Sequence, residues 1–318
     1  MVRFIQYGLG PIGVGIAELA IERGHQLVGA VDIDPDKVGR PVSDLVRRAP
    51  GDVTIASSAT GILNAGAQVV LHSTLSRLSS VLSQLEPLLD AGLRVISTCE
   101  ELAFPWWHHP QEAAALDELA KSRGAAVVGV GVNPGFVMDV LPVVFTAPCR
   151  QVDRITVTRV VDVGTRRRPL QLKVGVGLAR EAFRRGVVEG RIGHVGLPES
   201  AAMIAHALRW QLDRITESIE PVVGADGNVR GLHQRCTGAR GNTPVITLDL
   251  TMATGVQDPH DAVVIEGDPP VRVMLPGGIH GDQATCAIVV NSIPGVLTAA
   301  PGLLIPTQLA PAGRELGP

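Results

Sequence analysis

Two adjacent carboxylates, Glu100 and Glu101, follow the short apolar run Arg94-Val95-Ile96-Ser97 and stand just before Phe104-Pro105-Trp106. A carboxylate partly desolvated by such aromatics has its pKa raised toward neutrality and can exchange protons with a substrate. Acids are also favoured in the first turn of a helix, so spacing alone leaves both readings open. A second constellation begins the chain. Gly8-Leu9-Gly10-Pro11-Ile12-Gly13 joins a β-type run, residues 2–7, to a helix-period segment, residues 14–23. A second apolar strand, residues 26–31, then ends on Asp32. Strand, G-x-G-x-x-G, helix, strand and an acid about 20 residues past the glycines form the fingerprint of a dinucleotide-binding βαβ unit.

Each part of that fingerprint has a physical task. Gly8 permits the tight turn, Gly10 lets a pyrophosphate approach the backbone, and Gly13 lets the helix pack close to the strand. Pro11 and Ile12 open the helix, whose N-terminal N–H groups attract phosphate. Asp32 suits the ribose diol of NAD and repels a 2′-phosphate, while Lys37 and Arg40 follow closely enough to permit NADP. Ligands of doubly wound sheets sit outside the carboxyl ends of strands. His72, Ser73 and Thr74, which end the run 67–74, are therefore expected beside the cofactor, as are Thr98 and Cys99. A helix-capping role for Ser73 or Thr74 is compatible with this.

These residues need elements to hold them. The pattern predicts an α/β first domain, a Rossmann doubly wound parallel sheet over residues 1–135. The turn-forming run Gly131-Val132-Asn133-Pro134-Gly135 closes it. Alternating segments from 151 to 275, broken by Asp226-Gly227 and Gly241-Asn242, predict a second α+β domain, 136–279, with a mainly antiparallel sheet for substrate binding and dimerisation. Helices are expected at 201–215 and 283–293, the latter capped by Asp282, with 280–318 returning to pack on the first domain. The basic loop Arg166-Arg167-Arg168 reads either as a solvated face or as a site for a substrate carboxylate.

Composition removes other classes. The chain has 318 residues, a formal net charge of −3 and 45% hydrophobic residues, which gives no electrostatic case for nucleic acid or an anionic membrane. The four cysteines are scattered without a C-x-x-C, so no zinc site or disulfide framework is indicated, and no metal is expected. No apolar run is long enough to span a bilayer, and the first strand begins at once, which predicts a soluble cytoplasmic protein. The clustered aromatics Phe104, Trp106, Trp107 and Phe136, in a chain with only 3% aromatic residues, read equally as a pocket wall or as core.

Several motifs together resemble the 2,4-diaminopentanoate dehydrogenase family, which includes the native NAD(P)H-dependent amine dehydrogenases. They are the glycine turn, Ser97-Thr98-Cys99-Glu100-Glu101-Leu102, Asn133-Pro134-Gly135-Phe136-Val137-Met138-Asp139 and Gly193-His194-Val195-Gly196-Leu197. Gly281-Asp282-Gln283-Ala284-Thr285, Asn291-Ser292-Ile293-Pro294 and Ala300-Pro301-Gly302-Leu303 also fit. The family is related in fold to dihydrodipicolinate reductase. That enzyme's signature is not met, because His108-His109 is followed by Pro110-Gln111. The resemblance implies reversible oxidative deamination of a small amine to a ketone or aldehyde, or reductive amination with ammonia in reverse. Glu100 is then the first choice for the catalytic glutamate and Glu101 the second. Asn133 is expected at both cofactor and substrate, with Phe136, Arg159, His194 and Thr285 on the substrate side and a homodimer as the assembly. The alternatives on the same scaffold are an imine or dihydrodipicolinate-type reductase and a non-catalytic NAD(P) sensor.

Overall fold

The first strand explains how the first sheet is covered. In β1 (Arg3–Tyr7) Phe4 packs into one apolar layer, while Ile5 and Tyr7 pack into the opposite one. That is the two-residue period of a strand buried on both faces. The computed structural model describes residues 1–309. Residues 310–318 of the expected returning tail lie outside this range. One unit comprises Met1–Gly135 and the chain from His280 onward, and the other comprises Phe136–Ile279.

The first unit continues through α1 (Pro11–Glu22), β2 (Gln26–Val31), β3 (Ile55–Ala56), β4 (Val69–His72), α2 (Leu78–Asp90), β5 (Arg94–Ser97), α3 (Pro110–Ser122) and β6 (Ala126–Gly129). The second unit holds α4 (Val140–Phe145), β7 (Gln151–Asp162), α5 (Arg168–Lys173), α6 (Arg180–Val188), α7 (Leu197–Ala207), β8 (Arg214–Val223), β9 (Val229–Arg240), β10 (Thr243–Ala253), β11 (His260–Asp268) and β12 (Val271–Pro276). The chain then adds α8 (Gly281–Asn291), α9 (Ile293–Thr298) and β13 (Gly302–Leu304) to the first unit.

The first sheet has the order β13-β6-β5-β4-β1-β2-β3, and every pairing in it is parallel. Helices α2 and α3 cover one face through Leu78, Leu85, Leu88 and Leu116. Helices α1, α8 and α9 cover the other through Ile16, Ala20, Val289, Ile293 and Val296. Each fully buried aliphatic side chain contributes about 1.5–3 kcal/mol of burial free energy, so both layers are needed to fix the strand ends. The strand order reverses direction between β1 and β4, which marks the switch point where such sheets bind ligands.

The second sheet has the order β12-β11-β7-β10-β9-β8. Only the β10–β7 pair is parallel and the other pairings are antiparallel. Two expected boundaries are corrected. Helix α7 ends at Ala207, not at 215, because Arg209 adopts a left-handed φ of 55°. The bonds Trp210 N–H to Ala205 O and Arg209 N–H to His206 O close a Schellman motif. Arginine in the place usually held by glycine hid this stop. Helix α8 is capped by His280, whose Nδ1 accepts from Gln283 N–H, and Asp282 lies inside its first turn.

Candidate active site

The glycine turn has the geometry its residue types require. Gly8 has φ +90°, and a Cβ there would lie 2.3 Å from Ser73 O. A Cβ on Gly13 would lie 1.9 Å from Gly8 O and 2.6 Å from Ser73 Oγ. A Cβ on Gly10 would meet nothing within 4 Å. Gly8 and Gly13 therefore build the turn, whereas Gly10 leaves space above the backbone. Gly10 is also the N-cap of α1, with Pro11 and Ile12 following and no side chain capping the helix. Uncapped N–H groups facing open space make a cradle that fits a dinucleotide pyrophosphate.

Asp32 closes the turn from the other side. Its Oδ2 accepts from Leu9 N–H at 2.7 Å and its Oδ1 from Asp34 N–H at 2.9 Å. Burial opposes its charge, but these N–H groups and the Lys37 ammonium outweigh burial and hold its pKa below the usual carboxylate range. Lys37 Nζ stands 3.3 Å from both Asp32 Oδ2 and Asp34 Oδ2. Ser73 Oγ donates to Gly8 O at 3.2 Å and accepts from the buried Gln6 Nε2 at 3.0 Å. Ser73 thus supports the turn from beneath.

His72 and Cys99 need correcting as cofactor contacts. His72 is completely buried, with Nδ1 2.8 Å from Ser97 Oγ and Nε2 2.8 Å from Gln84 Oε1. Its ring faces inward beside Tyr7, with centroids 5.2 Å apart. The Cys99 side chain is also buried, donates to Ser76 O, and has its thiol pKa pushed far up by burial. Thr98 and Thr74 remain half-buried at the ends of β5 and β4.

Burial pushes the His72 pKa down to about 4, partly opposed by its bond to Gln84. The unfolded chain therefore takes up this proton first as the pH falls. The associated stability is complete above the ordinary histidine pKa and is lost on approach to pH 4. Between pH 7 and 5 the wild-type unfolding free energy should fall about 2 kcal/mol further than that of His72→Asn. Urea titrations at the two pH values measure this, and parallel losses would contradict it.

The two glutamates have different surroundings. Glu101 is 6% exposed. Its Oε1 accepts from Arg77 Nη1 at 3.1 Å, while its Oε2 accepts from Leu78 N–H at 2.8 Å and lies 3.0 Å from His109 Nε2. It therefore anchors the N-terminus of α2. Glu100 is half-buried and heads the 3-10 turn Glu101–Ala103 with φ −63° and ψ −44°. Successive side chains on such a turn diverge by roughly 120°, so Glu100 and Glu101 leave it in different directions. Gly129 lets this turn sit against β6, since a Cβ there would lie 2.5 Å from Ala103 N.

The remaining candidates separate between the units. In the first, Asn133 is 8% exposed, and Thr285 Oγ1 on α8 accepts from Val132 N–H at 3.3 Å, beside the loop that carries Asn133. In the second, Phe136 is half-buried. The His194 backbone is held by Gln234, whose Oε1 accepts from its N–H at 2.8 Å and whose Nε2 donates to its O at 2.7 Å. Gln234 is fully buried on β9, between Leu232 and Cys236 in the inward alternation. Sequence reasoning missed it, although a glutamine at an inward strand position was the available signal. Arg159 is corrected as a substrate-facing cation. It is 4% exposed, its Nη1 donates to both Asp261 oxygens at 2.7 and 2.8 Å, and its Nη2 donates to Ile279 O. Its charge is neutralised internally.

A parallel sheet with this turn at its switch point defines a dinucleotide-binding fold. Residues 136–312 match the family model described as the 2,4-diaminopentanoate dehydrogenase C-terminal domain. The curated 2,4-diaminopentanoate dehydrogenase of Acetoanaerobium sticklandii is 32% identical over 324 residues, covering 95% of this chain and 91% of that one. The chain belongs to the 2,4-diaminopentanoate dehydrogenase family. Among solved structures, the amine dehydrogenase of Mycobacterium smegmatis matches with a TM-score of 0.88 at 22% identity, over 99% of this chain and 97% of that one. The WlbA dehydrogenase of Bordetella pertussis, in complex with NADH and UDP-GlcNAcA, matches with a TM-score of 0.55 at 14% identity, over 92% and 88%. No helix among the described residues is long and apolar enough to cross a membrane.

Proposed function

We propose that this protein is an NAD(P)-dependent amine dehydrogenase that converts a small primary amine to a ketone or aldehyde, with reductive amination by ammonia as the reverse reaction. One observation carries the assignment of the acid. Glu101 is buried and anchors the N-terminus of α2 through Leu78 N–H, whereas Glu100 is half-buried at the carboxyl end of β5, the strand end where the dinucleotide sheet places its ligands, and Glu100 is therefore assigned the proton chemistry. Family membership supports the reaction class.

A bound nicotinamide dinucleotide would supply the acceptor for the hydride of the amine-bearing carbon. The N-terminus of α1 and Gly10, in the turn that Gly8 and Gly13 build, would hold its pyrophosphate, and Asp32 would hold its ribose. Ser73 supports the turn, while Thr74, Thr98 and Asn133 belong to the loops after β4, β5 and β6, and Thr285 to α8 beside the Asn133 loop. Glu100 takes the proton of the substrate ammonium and so frees the nitrogen lone pair that drives hydride departure. Once it has released that proton to solvent, its restored negative charge stabilises the iminium, and the carboxylate accepts a proton from the water that adds to it. Loss of ammonia gives the carbonyl compound. The sum is substrate ammonium, oxidised cofactor and water to carbonyl compound, ammonium, reduced cofactor and one proton.

The second unit is proposed as the substrate-binding and dimerising part, with Phe136 and His194 on the substrate side. Helix α7 packs against one face of its sheet, and Thr156, Thr158, Asp249 and Thr251 line the other, a face suited to a second copy. Oxidation of NADH or NADPH should be followed at 340 nm with ammonia and a panel of small ketones, aldehydes and 2-amino-4-oxopentanoate. Ammonia-dependent turnover is expected, and its absence across the panel with both cofactors would reject the reading.

NAD is proposed as the preferred cofactor, with NADP accepted through Lys37. A 2′-phosphate beside Asp32 is repelled, and Lys37 between Asp32 and Asp34 offsets that charge. Losing a charge-assisted contact of about 1.5–3 kcal/mol, Lys37→Met should weaken NADPH binding roughly ten- to a hundredfold. NADH binding should change by no more than about threefold. Fluorescence titration of both cofactors at fixed ionic strength measures this, and equal losses would remove Lys37 from cofactor selection.

A further inference from the structure

Five polar groups form an ordered chain beneath the ends of β4 and β5. Cys99 N–H donates to Ser97 Oγ at 3.1 Å, and Ser97 Oγ lies 2.8 Å from His72 Nδ1. On the other side of the ring, His72 Nε2 lies 2.8 Å from Gln84 Oε1, which also accepts from Thr74 Oγ1 at 2.8 Å. The residue types fix the direction of the protons. A backbone N–H can only donate, so Ser97 Oγ accepts from Cys99 N–H and its own O–H donates to Nδ1. The amide oxygen of Gln84 can only accept, and Thr74 Oγ1, 3.2 Å from Nε2, gives its hydrogen to that same oxygen, so Nε2 carries the ring proton. The reverse order would leave the Ser97 hydroxyl proton without an acceptor. Burial keeps the ring neutral well below neutral pH, so this order holds throughout the working range.

The chain joins elements that carry the site. His72 ends β4, Ser97 ends β5, Thr74 lies in the loop after β4, and Gln84 belongs to α2. Cys99 immediately precedes Glu100. The geometry points to His72 as a positioning residue for the amine dehydrogenase reaction, one that holds the Thr98-Cys99-Glu100 turn through Nδ1 and Ser97. This rests on the reading of Glu100 given above. The ring's two nitrogens have separable tasks. The Nδ1 side fixes the Glu100 turn, and the Nε2 side ties the ring to α2.

Two substitutions divide those tasks. An asparagine amide falls near the position of Nδ1, so His72→Asn keeps an acceptor for Ser97 and gives up Gln84. A glutamine amide falls near the position of Nε2, so His72→Gln keeps Gln84 and gives up Ser97. Displacing a catalytic group by about 1 Å costs on the order of a hundredfold in rate. His72→Gln and Ser97→Ala should therefore each lose about a hundredfold in kcat, while His72→Asn loses no more than about tenfold. The His72→Gln/Ser97→Ala double variant should fall no further than either single variant, because both break one link.

NADH affinity by fluorescence should stay within about threefold of wild type in all of them. Amide hydrogen exchange over residues 98–102 should accelerate in His72→Gln and Ser97→Ala and remain slow in His72→Asn. Ser97→Ala removes a single oxygen, so it keeps the test available should a His72 variant fail to fold. Equal kcat losses for the Asn and Gln variants would reduce His72 to packing, and wild-type kcat in Ser97→Ala would overturn the proposal. Lack of ammonia-dependent turnover in the wild type would reject the amine dehydrogenase reading instead, while the exchange data still decide whether the turn is tethered.

Discussion

Glu100→Gln should lower kcat by roughly a thousandfold, within the range of about 10²–10⁴ for loss of a general base, and leave NADH affinity within about threefold of wild type. The amide keeps the size of the carboxylate and its capacity to accept one hydrogen bond. It cannot take the ammonium proton, and it offers no charge to the iminium. Glu101→Gln should do nearly the reverse. Its carboxylate receives the Leu78 N–H and faces Arg77 and His109. The Arg77 side chain is 51% exposed, which limits the value of that pair. The buried bond to Leu78 N–H is the larger loss, and hydrogen bonds to charged groups are worth about 1.5–3 kcal/mol. Glu101→Gln should therefore lose about 2 kcal/mol of stability while keeping much of its kcat. Steady-state kinetics, NADH titration and urea unfolding on both variants separate these outcomes. Turnover lost in Glu101→Gln but kept in Glu100→Gln would exchange the two assignments.

Much of the first unit was legible because its signals are local. A strand buried on both faces is an apolar run, as in Val69-Val70-Leu71, and the glycine turn needs its residue types whatever surrounds it. Asp32 was legible for the same reason, since its partners Leu9 and Asp34 lie on the loops it joins. The failures occurred where a side chain's role depends on a distant partner. Arg159 presents a cation in the sequence, but the acid that neutralises it lies 102 residues away. His72 and Cys99 end their runs at the expected strand ends, but the sequence does not say which way a side chain turns there. Nothing in the sequence tells Glu100 from Glu101, because Arg77, Leu78 and His109, which converge on Glu101, are not its neighbours in the chain. The stop of α7 was hidden because an arginine, not a glycine, takes the left-handed position.

Gly10→Val should weaken NADH binding by about a hundredfold, equivalent to roughly 2.7 kcal/mol, with little change in folding. Gly10 has φ −69° and ψ 178°, a conformation open to any residue, and a Cβ there meets nothing within 4 Å. The folded protein has no steric reason to require glycine at this position. Exchanging an N-cap glycine for an aliphatic residue costs on the order of 1 kcal/mol. The requirement belongs to the ligand, because a pyrophosphate resting on the N-terminus of α1 fills the space a side chain would enter. Gly13 provides the contrast. A Cβ there would lie 1.9 Å from Gly8 O, so Gly13→Ala must push the helix from the turn and should lose about 1–3 kcal/mol of stability. Thermal unfolding with NADH fluorescence titration distinguishes a glycine kept for the cofactor from one kept for the fold. If Gly10→Val bound NADH as tightly as wild type, the dinucleotide could not lie across this turn, and the roles assigned to Asp32 and Lys37 would lose their basis.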